Sequence, residues 1–513
     1  MNTIELTIFA SRINAVCDEM GAVLQRAALS SNIKDRLDFS CAVFDAGGEL
    51  CAQAAHIPVH LGSMAYAMAD IVGELAWCPG DMVIVNDPFL GGTHLPDVTL
   101  IAPVFSGVEL IAFVVNRAHH ADIGAATPGS MPLSQRLDEE GVIIPPSYLI
   151  RAGRLDVDFL SSVVTATGNA EQSHGDFSAQ ISANRTGVSR MALILRSMGS
   201  RAFADALKQL NDYAERMARS ALVNIPDGRY AFRDLMDDDG MGNEALPINV
   251  VLTVSGGDVL VDFAGTAAQT RGNINCPLSV AAAAVYYVFR CLMPPQTPAC
   301  AGSFRAIEIR APAAVLVNAR RPAAVAAGNV ETSTRIVDVV MGALAQAIPA
   351  QVAAASHGSM NNVAMGARGE LNWDYYETLG GGMGASAGQN GLSAVQTHMT
   401  NTLNTPIESL EMHYPLRLHR YSVRRNSGGC GQYSGGDGLI REFEFLQPTT
   451  VTLLTERRYQ LPWGFDGGEP GVVGVNCLDG QVLPAKVSFE ARPGQRLVIK
   501  TPGGGGWGRP EPE

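Results

Sequence analysis

Residues 86–122 place the tightest constraint on what this chain can fold into. The stretch opens with NDPFLGGTHLPD, which packs Asp87, His94 and Asp97 into a Gly-rich loop, and closes with NRAHHAD, which supplies Arg117, His119, His120 and Asp122. Between them two apolar-rich runs, Val98–Phe105 and Val108–Val115, flank the pair Ser106-Gly107, the composition of a β-hairpin closed by a two-residue turn. A turn at Ser106-Gly107 sets Asp97 opposite Asn116 and His94 opposite His119, so the two imidazoles converge. A slip of one residue would send them to opposite faces.

Two imidazoles and a carboxylate at the mouth of a hairpin are donors that hold Zn²⁺ or Mn²⁺ and leave a position open for water. A core histidine satisfied by hydrogen bonds, or an aspartate that only forms a turn, accounts for each residue singly but not for His94, Asp97 and His119 together. For His120 or Asp122 taken alone the structural reading is the stronger.

Composition narrows the chemistry further. Of 513 residues only 17% are charged, with a formal balance of −13, so a nucleic-acid surface is not expected. No apolar run approaches about 18 residues, and the start, MNTIELTIFASRIN, lacks a basic segment; the expectation is a soluble cytoplasmic chain with no membrane contact. The nine cysteines are odd in number and scattered without a CxxC pair, against a disulfide framework or a Cys-ligated zinc. Low charge with 47% hydrophobic residues suggests a large subunit interface.

Apolar periodicity predicts a helix over 4–29, strands at Phe39–Phe44 and Leu50–Gln53, a helix over 62–77, and a strand at Met82–Val85 that feeds into the loop. The Pro/Gly-rich segment 127–150 reads as an ordered loop able to cover the site, with its Asp-Glu-Glu triplet solvated. Helical patterning over 189–222 is broken at Gly199, and Pro226-Asp227-Gly228 marks a boundary. Beyond it a β-rich stretch (Ile248–Val254, Val259–Phe263, Ala306–Ile309) carries helices near 279–292 and 336–347. From about 350 the chain is dense in glycine without a constant period. The expectation is an α+β fold of two or three intimately packed mixed regions: 1–225 with the metal, 226–349 rich in strands, and 350–513 rich in glycine and shaping the cavity. There is no GxxxxGK[ST], and GGGMGA lacks the third glycine of a dinucleotide fingerprint, leaving metal-activated water as the supported chemistry.

The motifs NDPFLGGTHLPDV, NRAHHADIGA, VDFAGT with GNIN, DYYETLGGGMGA, THMTNTLNTPIESLE, YPLRLHRY, SGGCGQYSGGDGL, ERRYQLPWGFDGG and TPGGGGWG resemble, in order and nearly end to end, the hydantoinase B/oxoprolinase family. That family includes the B subunits of ATP-dependent hydantoinases, the matching half of 5-oxoprolinases, the β subunit of caprolactamase and a metal-bearing subunit of acetone carboxylase. The resemblance implies a division of labour: an A-type partner, in a heterotetramer, binds ATP and phosphorylates the carbonyl oxygen of a hydantoin, lactam or 5-oxoproline-like ring, and the B-type chain opens that ring with water activated by a divalent metal. It also implies metal ligands at Asp35, His94, Asp97 and His119, with Asp38 the substitute because many members carry Glu where this chain has Asp35. Asp97, His120 and Asp122 are then candidates for catalysis, and Arg117 for orienting the ligands. Two other roles fit the same resemblance: a subunit of a ketone carboxylase of the acetone carboxylase type, and a non-catalytic scaffold for the A-type subunit.

Overall fold

A computed structural model describes residues 1–55, 57–369 and 372–510; the final three residues of the 350–513 region lie outside it. Leu6, Phe9, Ile13, Val16, Met20 and Leu24 recur every three or four residues, so Thr3–Ala27 folds as one helix with a single buried face, opened by a capping box between Asn2 and Glu5. That face packs with the helix Ala170–Met198 in one apolar cluster with strand residues such as Val98, Leu100 and Val114. Each large side chain fully buried there contributes about 1.5–3 kcal/mol.

The sheet beneath those helices has seven antiparallel strands in the spatial order Leu50–Ala55, Phe39–Asp45, Glu109–His119, Asp97–Ser106, Met82–Val85, Ser147–Arg151, Arg154–Leu155. The hairpin is its centre, but its register differs from the expected one. The turn falls at Gly107-Val108, one residue late, and a bulge at Val104/Phe105 adds another displacement, so Asp97 pairs with His119 and Leu100 with Asn116. Gly107 takes φ +62 at the first central turn position, where glycine is favoured over serine. His94 therefore stands outside the ladder rather than opposite His119.

Helix Ala170–Met198 clamps this hairpin through polar side chains one turn apart. Gln180 Nε2 donates to the Val98 carbonyl and to Asn116 Oδ1, Asn184 Nδ2 donates to the Leu100 carbonyl, and Asn116 Nδ2 donates back to Asn184 Oδ1. The predicted break at Gly199 is present: it adopts φ +82 between Ala170–Met198 and Ser200–Leu222.

A second, four-stranded sheet comes from Gly228–Asp238, Glu244–Ser255, Asp258–Asp262 and Ile307–Arg310. Two further antiparallel sheets, of four and five strands, come from the last third. One apolar cluster joins Ile57 and Met131 with Val250, Phe289, Val340, Met399 and Leu454, so the regions interlock rather than sit as beads. The fold is α+β.

The glycine-dense segments around 380–384, 428–436, 464–474 and 503–506 are not strands or helices. They run side by side and exchange backbone hydrogen bonds: Gly382 N to Pro502 O, Gly436 N to Met383 O, Gly504 N to Gly436 O, Gly429 N to Gly504 O and Gly506 N to Glu469 O. A Cβ on Gly382 would lie 1.9 Å from the Gly436 carbonyl oxygen, and one on Gly504 2.1 Å from that of Met383. Only glycine lets backbones approach this closely.

Candidate metal centre

The loop before the hairpin is held from several sides before it reaches His94. Asn86 donates to the carbonyls of Leu95 and Val142 and accepts from Ile144 N. Gly91, at φ +92, lies where a Cβ would meet Ala67 Cα at 2.1 Å, which seats the loop on the helix His60–Glu74. The buried Arg117 guanidinium ties the same parts together, donating to Thr99 Oγ1, Ser63 Oγ and the Gly91 carbonyl. Asp87 caps the short turn Pro88–Leu90 and pairs with Arg321, so it acts as a turn former.

The chain then doubles back, with Asp97 N donating to the His94 carbonyl. This brings His94, Asp97 and His119 together despite the shifted register: one donor atom from each lies within 4.8 Å of the others. His94 Nε2 is 3.2 Å from Asp97 Oδ1. All three side chains are at most 3% exposed, yet Asp97 Oδ1, His119 Nε2 and both ring nitrogens of His94 lack a hydrogen-bond partner. Orphaned acceptors of this kind are costly when buried, and two imidazoles with a carboxylate fit a divalent cation.

The other polar atoms of Asp97 and His119 are occupied, which aims their free ones. Asp97 Oδ2 accepts from Thr93 Oγ1 and lies 3.3 Å from His60 Nε2, while His60 Nδ1 meets Ser40 Oγ at 2.9 Å. Asn32 Nδ2 meets His119 Nδ1 at 3.1 Å, which fixes the orientation of the ring and leaves Nε2 facing the group. Tyr376 stacks on His119 at 4.8 Å with rings 3° from parallel, and the Arg36 guanidinium lies 4.9 Å from the centroid of the Tyr376 ring.

Burial, with His94 nearby, holds His119 well below the ordinary imidazole value, so its ring is neutral. Burial also works against a charge on His94, but the adjacent Asp97 carboxylate outweighs it and raises His94. Asp97 is itself held well below the usual carboxylate range: burial opposes this, and His94 and His60 overcome it.

The remaining expected site residues are not brought to this group. Asp35 ends the short helix Ser31–Lys34 and lines a surface hollow with Lys34, Asn169 and His413. Leu37, in the left-handed region at φ +58, turns the chain so that Asp38, three residues on, enters the cavity at the centre instead. His120 follows His119 on the strand and so faces the opposite side, where Nε2 meets Gln180 Oε1 at 2.9 Å and the ring packs on Phe177. Asp122 accepts from Ser130 Oγ, Gly124 N and Gly168 N and pairs with Arg368, pinning the 127–150 segment. In that segment Asp138 is exposed, but Glu140 is fully buried. It accepts from Val325 N, Ala326 N and Ser134 Oγ, and burial raises it to about 7.

Sequence reasoning passed over His60, Asn32 and Tyr376. Each reaches the centre from far along the chain, with separations of 37 residues for His60 from Asp97 and 87 for Asn32 from His119, beyond any local spacing signal. The small cavity beside the centre is lined by Asp38, His60, Asp97 and His119 and by apolar side chains such as Val330, Met360 and Met399. It measures ≈ 20 Å³, room for about one water molecule. No helix among the described residues is long and apolar enough to cross a membrane.

Residues 2–510 match the family described as Hydantoinase B/oxoprolinase. An uncharacterized protein of Methanocaldococcus jannaschii is 39% identical over 99% of this chain and 91% of its own length. 5-Oxoprolinase 1 of Arabidopsis thaliana is 37% identical over 99% of this chain, which spans 42% of that longer protein. The crystal structure of ATP-dependent caprolactamase from Pseudomonas jessenii superposes with a TM-score of 0.91 at 28% identity, covering 99% of this chain and 91% of that one. From its second residue to its last described one, the chain belongs to the hydantoinase B/oxoprolinase family.

Proposed function

We propose that this chain is the metal-bearing, B-type subunit of an ATP-dependent cyclic amidohydrolase, working with an A-type partner that binds ATP and phosphorylates the ring carbonyl oxygen. The observation that carries the reading is the buried His94–Asp97–His119 group with its convergent unpartnered atoms, in a chain with no phosphate-binding loop of its own. The ion fitted by those donors is Zn²⁺ or Mn²⁺.

An unstrained amide is a poor electrophile. Phosphorylating its oxygen drains the carbon of electrons, so that water can add there. The ring nitrogen then leaves with a proton, breaking the C–N bond, and a second water releases phosphate from the resulting acyl phosphate. The sum is ring amide, ATP and two waters giving open-chain amino acid, ADP and phosphate. A divalent ion at this centre supplies a Lewis acid and lowers the pKa of water toward neutrality. Asp38 is the proton carrier. It lines the cavity, burial raises its carboxyl above the usual range against the pull of Arg36, and it can take a proton from water and pass one to nitrogen. His60 and Asn32 hold Asp97 and His119 in orientation.

The test uses His119→Ala in the assembled two-subunit complex, with ADP release and ring-opened product measured in the same reaction. The proposal expects product to fall at least about 10³-fold while ADP release continues. Undiminished product with intact assembly would contradict it, and ring opening by this chain alone without ATP would contradict the division of labour.

A further inference from the structure

Among the residues lining the cavity at the metal centre, buried polar atoms without a hydrogen-bond partner occur on Asp97, on His119 and on one residue outside the donor group, Asn329. Its side chain is 3% exposed and its Oδ1 is unpartnered. A carboxamide in that state is costly to keep, unless something that enters the cavity completes it.

The backbone around Asn329 is built to hold it still. It lies in the π-helical turn Gly328–Thr332, a form that recurs at functional sites. On one side Gly328 is pressed so close to the chain that a Cβ would meet the Asn275 carbonyl oxygen at 1.8 Å, and its N–H donates to the Asn273 carbonyl. On the other side Glu331 Oε1 accepts from Met360 N and Asn362 Nδ2, and Tyr376, the ring stacked on His119, donates to Asn362 Oδ1. The carboxamide is thus fixed on a frame shared with the metal centre, with the apolar walls of Val330, Met360 and Met399 beside it.

Resting on the reading of the chain as a ring-opening subunit, we infer that Asn329 is a specificity-determining residue: its Oδ1 accepts the N–H of the ring nitrogen, which the O-phosphorylated ring carries in its protonated form and the departing amine carries after it, and so selects rings whose cleaved nitrogen bears hydrogen over rings in which that nitrogen is alkylated. Small rings hold the amide cis, with N–H and C–O on one edge. Gripping the N–H therefore points the carbon on that edge at the metal group, while the methylenes lie against the apolar wall. Met360 and Met399, unbranched and adaptable, are the side chains that make room. A ketone offers no N–H for the Asn329 oxygen to accept. A site built to hydrogen-bond one group rejects the analogue that lacks it far more strongly than an apolar pocket rejects a missing methylene.

The experiment uses the assembled complex with ATP, and five- to seven-membered lactams and hydantoins, each paired with the derivative methylated on the nitrogen of the cleaved bond. The wild-type ratio of kcat/KM for N–H over N-methyl rings should be about 10² or more. Asn329→Leu should collapse that ratio toward unity by slowing only the N–H ring, and Asn329→Asp, which keeps an acceptor, should retain most of it. Metal content and ADP release should not change in either. An unaltered ratio in Asn329→Leu, or equal loss on both rings, would overturn the assignment while leaving the ring-opening role intact. Should Asn329→Leu fail to fold, Asn329→Ala gives the same comparison. Absence of ring opening by the wild-type complex on every ring would overturn both proposals.

Discussion

The metal hairpin and the glycine-dense segments reach order by opposite routes. In the hairpin, side chains determine everything: Arg117, Asn116, Gln180 and Asn86 each spend two or more hydrogen bonds fixing the backbone that carries His94, Asp97 and His119. In the glycine segments the side chain is the thing excluded, and backbone amides of distant segments bond one another directly. In the first, His94 joins His119 from outside the ladder, because the chain doubles back between His94 and Asp97. The second has no slack, because backbone atoms stand where a Cβ would be.

The sharpest way to break this contrast is Gly504→Ala. The added Cβ would lie 2.1 Å from the Met383 carbonyl oxygen, and the atoms it meets are backbone, with no side-chain end to rotate away. A destabilisation of about 3 kcal/mol or more is expected in denaturant unfolding. Gly73→Ala, at an exposed helical position with nothing within 4 Å, should instead stabilise by about 0.5–1 kcal/mol. Equal effects at the two positions would end the distinction.

On the hairpin side, removing His60 should loosen Asp97 without unfolding the sheet. His60→Ala is expected to lower affinity for Zn²⁺ or Mn²⁺ by about 10–100-fold, read by calorimetric titration, with the unfolding midpoint of the metal-free protein nearly unchanged. A large drop in midpoint would mark His60 as a structural core residue.

Acidity sharpens the same point, because a cation must displace the proton that Asp97 helps to keep on His94. His94 is raised above its ordinary value of 6.5, so affinity should be flat at alkaline pH and fall by about tenfold per unit once pH drops below the raised value. Proton release on metal binding, measured in two buffers of different ionisation enthalpy, checks it. His119, held neutral by burial, should release none.

The smallest effect concerns the two aspartates before the first strand. Asp35→Asn lies outside the cavity and should change metal affinity by less than about twofold, whereas Asp38→Asn should slow ring opening by about 10²-fold or more at unchanged metal content. The reverse order would return Asp35 to the centre.

What could be read in advance follows the same division. His94, Asp97 and His119 stood out because residue type and a turn-flanked apolar pattern are local information. The left-handed Leu37 that exchanges Asp35 for Asp38 has no such signature, nor has the return of Tyr376 onto His119 across 257 positions of chain. His120 and Asp122 were drawn to the site by adjacency, yet alternation along a strand separates His120 from His119 and the 127–150 segment claims Asp122. Glu140 reads as one of three solvated acids but is buried on two backbone amides of residues 325 and 326. The glycine density was visible, while its partners were not, because glycine carries no side-chain pattern to match one segment with another.

The central claim is that His94, Asp97 and His119 form a metal site rather than a satisfied polar core. Elemental analysis of the chain purified without chelator, beside His94→Ala folded to the same circular dichroism, tests it most directly. One equivalent of zinc or manganese in the wild type and about a tenth or less in His94→Ala is the predicted result; no transition metal in the wild type, or equal content in both, would contradict it.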